Sequence, residues 1–265
     1  MTPMLHRLTP EAATGPVVVL VHGMEDDWRS WLPLARLLDH NWQVYALQPP
    51  WTAGADHRWR RRRSPGEWLR AGLDQLDGPA DVLVGHSLGA NAVLEALTGP
   101  PLGLGGAVLI APFYCPPGAV VTWSVFERAK RDFEAIIRAA LELRMGPRLT
   151  RLNQADPDLA GTMQAKMIDR IGPLGFLAIF DLFLSTADLD LAEVSVPTLV
   201  VAGDCDPALD GDRVVALRQR LPTGQVVVEP GFDHFCHVLQ VEAVAAHLVS
   251  FVELTCTTRG SARRP

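Results

Sequence analysis

The sequence has no apolar run long enough to cross a bilayer. About 20 consecutive apolar residues are needed for that, and the best candidate, Leu174 to Leu184, is shorter and interrupted by Asp181. It has no basic excess: 24 Lys and Arg against 30 Asp and Glu leave a formal net charge of -6. That argues against a nucleic-acid partner, because such proteins present basic faces. Paired cysteines are also missing. Cys115, Cys205, Cys236 and Cys256 are scattered without a CxxC pair, so free thiols are expected. The first ten residues hold neither an apolar h-region nor a cleavage-site pattern. The expectation is a soluble cytoplasmic protein with no membrane partner.

What is present is a substantial core and a rhythm. Of the 265 residues, 48 % are hydrophobic, enough for one large domain. Short, nearly continuous apolar runs occur at 17–21, 44–47, 82–84, 107–110, 198–202 and 226–228. Strands covered by helices on both faces have this composition, since neither face meets water. Between them lie amphipathic stretches near 28–40, 65–77, 87–98, 211–221 and 238–254. Such alternation predicts βαβ units: an α/β fold with a mostly parallel, doubly wound sheet.

One segment departs from the rhythm. From about Phe113 to Val194 there is no strand signal. Three helices are expected there: one capped by Ser124 and carrying Val125, Phe126, Ala129, Phe133, Ile136, Ile137, Ala140 and Leu141 at helical spacing, one from Pro157 to Ile171, and one from Pro173 to Thr186. The expected organisation is a sheet core over 1–112 and 195–254, a helical cap over 113–194, and a polar, disordered tail over 255–265.

The chemistry-bearing motif follows the 82–84 strand. Gly85-His86-Ser87-Leu88-Gly89 is a G-x-S-x-G between a strand and a helical stretch, the setting in which it forms a nucleophile elbow. The turn is too tight for side chains at the flanking glycines, and it lifts the serine hydroxyl above the sheet edge. A serine hydroxyl is a weak nucleophile and needs a base and an orienting acid. In this architecture the acid and then a histidine follow the serine in chain order. After the 198–202 strand comes Gly203-Asp204-Cys205-Asp206-Pro207, with two carboxylates. After the 226–228 strand comes Gly231-Phe232-Asp233-His234-Phe235-Cys236-His237, with two imidazoles. Asp233, His234, Cys236 and His237 are able metal ligands, but neighbouring loop residues rarely converge on one ion, and no metal is expected.

Taken together these motifs resemble the α/β-hydrolase superfamily, in its esterase and thioesterase-like branch with a helical cap. The resemblance runs over residues 15–254 and rests on His22-Gly23, Gly85 to Gly89, Gly203 to Asp206 and Gly231 to Phe235. It selects Asp206 over Asp204 as the acid, leaving Asp204 as a turn residue, and His234 over His237 as the base. It implies that the backbone amides of Met24 and Leu88 form the oxyanion hole, that His22 holds the loop structurally, and that no cofactor is needed. With serine at position 87, the branches that use an aspartate nucleophile are excluded. The implied activity is cleavage of a carboxylic ester or thioester through an acyl-Ser87 intermediate. The alternatives are acyl transfer, cyclisation or elimination on the same machinery, and, less expected, a non-catalytic ligand-binding protein.

Other features bear on the substrate. Many relatives carry Asp-x-x-Gly where this chain has Gln48-Pro49-Pro50-Trp51, so the pocket wall there is expected to differ. Phe176 and Phe180 in the cap, together with Trp51, are candidates for an apolar acyl pocket. Glu25, Asp26 and Asp27 read as a solvated acidic loop, the alternative being that one carboxylate faces the pocket and disfavours anionic substrates. Arg58 to Arg63, with Trp59, reads as a solvated basic loop, the alternative being a contact for an acidic carrier protein or its phosphopantetheine arm. The expected partner is a small acyl substrate, free or carrier-bound.

Overall fold

In a computed structural model the backbone is described for residues 2–262, and side chains for those residues other than 149, 150, 153, 167 and 256–262. Seven strands form one sheet: β1 Met4–Arg7, β2 Val17–Val21, β3 Gln43–Gln48, β4 Val82–His86, β5 Gly106–Ile110, β6 Thr198–Gly203 and β7 Gly224–Glu229. Their order is β1-β3-β2-β4-β5-β6-β7. Only β1 is antiparallel, pairing with β3 along Met4↔Gln48 to Arg7↔Tyr45. This edge strand was not expected from the sequence. Its four residues are too few, and too polar at His6 and Arg7, to stand out.

The helices are α1 Leu32–Ala35, α2 Pro65–Leu73, α3 Leu88–Leu97, α4 Trp123–Met145, α5 Pro147–Ala155, α6 Pro157–Ser185, α7 Gly211–Arg220, α8 Cys236–Leu239 and α9 Val241–Ala262. Strand side chains alternate between two cores with the period-2 geometry of a pleated sheet. Val19, Val21, Leu83, Leu109 and Val200 pack with residues of α2, α3 and α7. Val18, Leu20, Val84, Ile110 and Val201 pack with residues of α1, α8 and α9. Both faces are therefore covered, which is why the strands read as continuous apolar runs. Among the described residues no helix is long and apolar enough to cross a membrane.

Between β5 and β6 the chain is helical, with differences from expectation. Thr122, not Ser124, caps α4, its Oγ1 accepting from the Val125 N–H. Ser124 lies inside the first turn, where its hydroxyl pairs with that of Thr122 at 2.8 Å. The short α5 was not anticipated. The two later expected helices are both present along α6, parted by a kink at Gly172 (φ 64°, ψ -176°) ahead of Pro173. Proline lacks the N–H and disfavours helical backbone in the residue before it. The ends of this segment are tied together: Thr186 Oγ1 accepts from the Cys115 N–H at 2.8 Å and donates to the Phe183 carbonyl at 2.7 Å.

The expected disordered tail from residue 255 is corrected. Helix α9 continues to Ala262, and residues 263–265 lie outside the described part. Thr255 is buried and donates to the Phe251 and Val252 carbonyls at 2.9 and 3.1 Å. A helix already nucleated and packed extends at little cost per residue, so polar composition alone did not end it. Cys115, Cys205 and Cys236 are free thiols, and the Cys256 side chain lies outside the described residues.

Candidate active site

The parallel strands β2 and β4 are neighbours in register, Val21 beside Gly85. Strand β2 leads away to β3 on one side and β4 lies on the other. Crevices at such switch points, beyond the carboxyl ends of the strands, are where open α/β sheets bind ligands. Here the end of β2 carries His22-Gly23-Met24, and the end of β4 carries Ser87.

Ser87 has φ 51° and ψ -120°. A left-handed conformation at a non-glycine residue costs of order 1–3 kcal/mol and persists only where the surroundings enforce it. The enforcement is close packing. A Cβ on Gly85 would collide with the Gly89 and Ala90 backbone, and one on Gly89 with the Val21 and His22 carbonyls. The Ser87 N–H donates to the Ile110 carbonyl at 2.9 Å, fixing the turn to β5. Buried Asn91 secures the next loop by bonding both the N–H and the carbonyl of Phe113, at 3.1 and 2.7 Å.

Of the competing carboxylates and imidazoles, one pair meets the serine. His234 Nδ1 donates to Asp206 Oδ1 and Oδ2, each at 3.0 Å, and His234 Nε2 accepts from Ser87 Oγ at 2.9 Å. The Asp206 side chain is fully buried and that of His234 nearly so. Asp206 Oδ1 also accepts from the Ala208 N–H at 2.8 Å, which holds the carboxylate plane towards the ring. Gly203 permits this approach, because a Cβ there would collide with the Phe232 carbonyl. The backbone of His234 is anchored by His86, whose Nε2 donates to the His234 carbonyl at 2.8 Å.

The rejected alternatives have other places. Asp204 is exposed, and its Oδ1 accepts from the Gly231 N–H at 2.7 Å, bridging the two loops. His237 lies in α8, fully buried, its ring 3.8 Å from that of His86. Burial lowers its pKa to about 4. Burial lowers the pKa of His86 well below the ordinary value, with the charges of His237 and His234 adding to the effect, and burial lowers His22 as well. A low-dielectric site disfavours the charged imidazolium. The Cys236 thiol is pushed up to about 12 by burial, which removes it as a nucleophile.

The Met24 and Leu88 amides flank this relay. Among the described residues, neither backbone N–H has a backbone acceptor. Met24 lines the cleft above Ser87, and Leu88 opens α3, whose N-terminal dipole favours negative charge nearby. His22 is buried and donates from Nδ1 to the Gly23 carbonyl at 2.8 Å.

The cleft opens to solvent above Ser87. Its walls are Phe133, Ile136, Ile137 and Ala140 from α4, and Phe176, Ile179, Phe180 and Phe183 from α6, with Ser87 and His234 at its base. Phe176 and Phe180 thus stand where they were expected. Trp51 does not. It is 1 % exposed, tilts against Trp59 at 5.2 Å between ring centres, and donates from Nε1 to the His22 carbonyl at 3.0 Å. A buried indole needs an acceptor for its N–H, and here it is the His22 carbonyl, so Trp51 braces the loop after β2 from behind.

Two loop expectations are also corrected. Glu25 is buried rather than solvated: it pairs with Arg170 of α6 and accepts from the Gly54 N–H at 3.2 Å. Sequence position alone could not reveal the cation that satisfies it, which lies 145 residues away. Asp26 lines the cleft, and Asp27 caps the following turn by accepting from the Arg29 N–H. The Arg58 to Arg63 segment is only partly free. Arg60 pairs with Asp181 at 2.6 Å, and Arg63 lies over the Trp68 ring at 5.2 Å.

Asp26, His86 and His237 place possible metal-ligating atoms within 4.8 Å of one another. Yet the two imidazoles stack at 3.8 Å with 29° between planes. Lone pairs lie in the ring planes, so stacked rings direct them side by side instead of onto one ion. In the loop that carries His234, Asp233 accepts from the Phe235 N–H at 2.7 Å, and His234 faces Asp206 and Ser87.

The family model described as the alpha/beta hydrolase family matches residues 18–247. No curated protein matches the chain significantly. Among solved structures, a hydrolase from Oleispira antarctica superposes with TM-score 0.68 at 17 % identity, covering 94 % of each chain. The enol-lactonase from Burkholderia xenovorans LB400 gives 0.64 at 17 % identity, covering 95 % of this chain and 96 % of its own. A thermophilic esterase from Thermogutta terrifontis gives 0.61 at 21 % identity, with 96 % and 93 % covered. At these identities the likeness is one of fold.

Proposed function

The chain belongs to the alpha/beta hydrolase family, and from that premise we propose that it cleaves a carboxylic ester or thioester of a hydrophobic acyl substrate through an acyl-Ser87 intermediate. The observation that carries this reading is the continuous relay from Asp206 through His234 to Ser87 Oγ, with bonds of 3.0 and 2.9 Å, at the base of an apolar cleft.

The steps follow from the contacts. His234 Nε2 takes the Ser87 proton as Oγ attacks the acyl carbonyl carbon, and a C–O bond forms. Asp206 stabilises the resulting imidazolium and has already selected the tautomer with Nδ1 protonated. The oxyanion is received by the Met24 and Leu88 amides, donors of a kind worth roughly 3–4 kcal/mol each in other serine hydrolases. The imidazolium then protonates the departing alcohol or thiol as the C–O or C–S bond breaks. Water, deprotonated by His234, attacks the acyl-serine and releases the free acid. The acyl chain lies between α4 and α6, where Phe133, Ile136, Phe176 and Phe180 offer apolar area and few polar groups to satisfy.

The test is turnover of p-nitrophenyl esters from C2 to C12 by the wild type beside Ser87→Ala. Release of free acid that disappears in Ser87→Ala is the expected result. Turnover that persists in the variant removes Ser87 from the mechanism. Acyl product on an added alcohol or amine, without free acid, selects acyl transfer. Binding of the esters with no turnover by the wild type selects a ligand-binding role.

A further inference from the structure

We propose that Glu25 is a positioning residue whose buried carboxylate couples the seating of α6 to the placement of the neighbouring Met24 amide. The proposal rests on the hydrolase reading of the site and adds a device to it.

Glu25 follows Met24 directly and has φ 57°. That conformation is unfavourable for a non-glycine residue and must be held by its surroundings. Its N–H donates to the Trp51 carbonyl at 3.0 Å. Its side chain is 3 % exposed, and a buried carboxylate is costly unless charge and hydrogen bonds compensate it. The compensation comes from three groups, two on the connection between β3 and α2 and one on α6. The Gly54 N–H donates to Oε2 from the loop after β3. His57 Nε2 lies 3.8 Å from Oε1. Arg170 of α6 pairs with Oε2.

The place of Arg170 gives the contact its consequence. It stands two residues before the helix break at Gly172. Beyond the break come Phe176, Ile179, Phe180 and Phe183, which wall the cleft. His57 abuts the same region, since a Cβ on Gly175 would lie 2.9 Å from its Nε2. One carboxylate therefore joins the oxyanion loop to the pivot of the helix that contacts the acyl chain. A second, looser tie runs in parallel from Asp26 to Arg144 of α4 at 3.9 Å. Movement of α6 to accept a substrate is transmitted by Arg170 to Glu25, and from there to the amide that receives the oxyanion. A contact that only stabilised the fold would have no reason to alter kcat. One that sets donor geometry does, because misplacement near 1 Å costs on the order of 100-fold.

The experiment measures kcat, KM and thermal midpoint for Glu25→Gln, Arg170→Met, Arg170→Lys and the Glu25→Gln/Arg170→Met pair, with Ser87 labelling by an uncharged fluorophosphonate as a second readout. Glu25→Gln should lower kcat and the labelling rate about tenfold or more, with KM within about twofold, the loss lying in transition-state stabilisation. Arg170→Met should act in the same direction, Arg170→Lys should restore part of the loss, and the double variant should fall no further than Glu25→Gln alone, as coupled groups do. Arg170 is half exposed, so its variants report even if Glu25→Gln does not fold. Unchanged kcat in both single variants, losses that multiply in the double, or losses that only track the fraction of folded protein would each overturn the proposal. Ser87→Ala run alongside separates the two ideas: an active Ser87→Ala sinks the hydrolase reading, whereas an inactive one beside unaffected Glu25→Gln and Arg170→Met sinks only the coupling.

Discussion

The two halves of the site are held by different physics. The sheet half consists of Ser87, Asp206 and His234 on turns that leave no room for side chains at Gly85, Gly89 and Gly203. Asp206 and His234 are buried and bound to each other, and Ser87 is half-buried. The helical half, α4 to α6, is held together by aromatic packing, as between Phe126 of α4 and Phe176 and Phe180 of α6. It is fastened by a few ion pairs with exposed partners, such as Arg60–Asp181 and Arg128–Asp210. The half that is proposed to do chemistry is over-determined by backbone geometry, while the half that is proposed to contact substrate is held by adaptable contacts. This lets one set of reacting groups serve under different walls.

The comparison is tested most severely by Ser87→Ala. Loss of turnover by at least about 10⁴-fold is expected, with the circular dichroism spectrum and thermal midpoint retained. Asp206→Asn should follow, with kcat falling by about 10³–10⁴, because an amide cannot hold His234 in the Nδ1-protonated tautomer with the same charge stabilisation. A variant retaining more than a tenth of wild-type kcat would show that the sheet half tolerates imprecision.

Acid stability probes the same half. His237 has its pKa lowered to about 4 by burial, and His86 is lowered in the same direction. The unfolded chain therefore binds protons more readily than the folded one. Stability is present in full above the ordinary value of about 6.5 and is lost as pH falls towards 4, by up to about 3 kcal/mol for His237. Thermal midpoints between pH 7 and 4 should fall on this course, and His237→Phe should flatten it. A wild-type midpoint independent of pH across the window would contradict the neutral, buried assignment.

The helical half should respond more gently. Phe180→Ala enlarges the cleft and should move the preferred ester chain longer, changing the ratio of kcat/KM values for long and short chains about tenfold, since one methylene in an apolar pocket is worth roughly 1–3 kcal/mol. An unchanged chain-length profile would place the acyl chain elsewhere. Arg60→Ala removes a pair whose acidic partner is largely exposed, and should cost less than about 1 kcal/mol by chemical denaturation.

The sequence by itself determined the parallel core, the elbow at Ser87 and the positions at which an acid and a base could stand, because these depend on short-range spacing: continuous apolar runs, flanking glycines and loops just past strand ends. The helices of the insertion were legible too, including the break at Gly172, apart from α5. Spacing left Asp204 beside Asp206 and His237 beside His234, and the resemblance chose between them; the tertiary structure supplies the contact itself, Asp206 to His234 and His234 to Ser87, which depends on how loops 28 residues apart face each other. Only the tertiary structure showed that Glu25 is buried against Arg170 and that Trp51 braces the loop after β2 instead of lining the cleft. The residues concerned are ordinary in local pattern. Whether a carboxylate is solvated or an indole faces a pocket depends on partners far away in the chain, which spacing cannot encode.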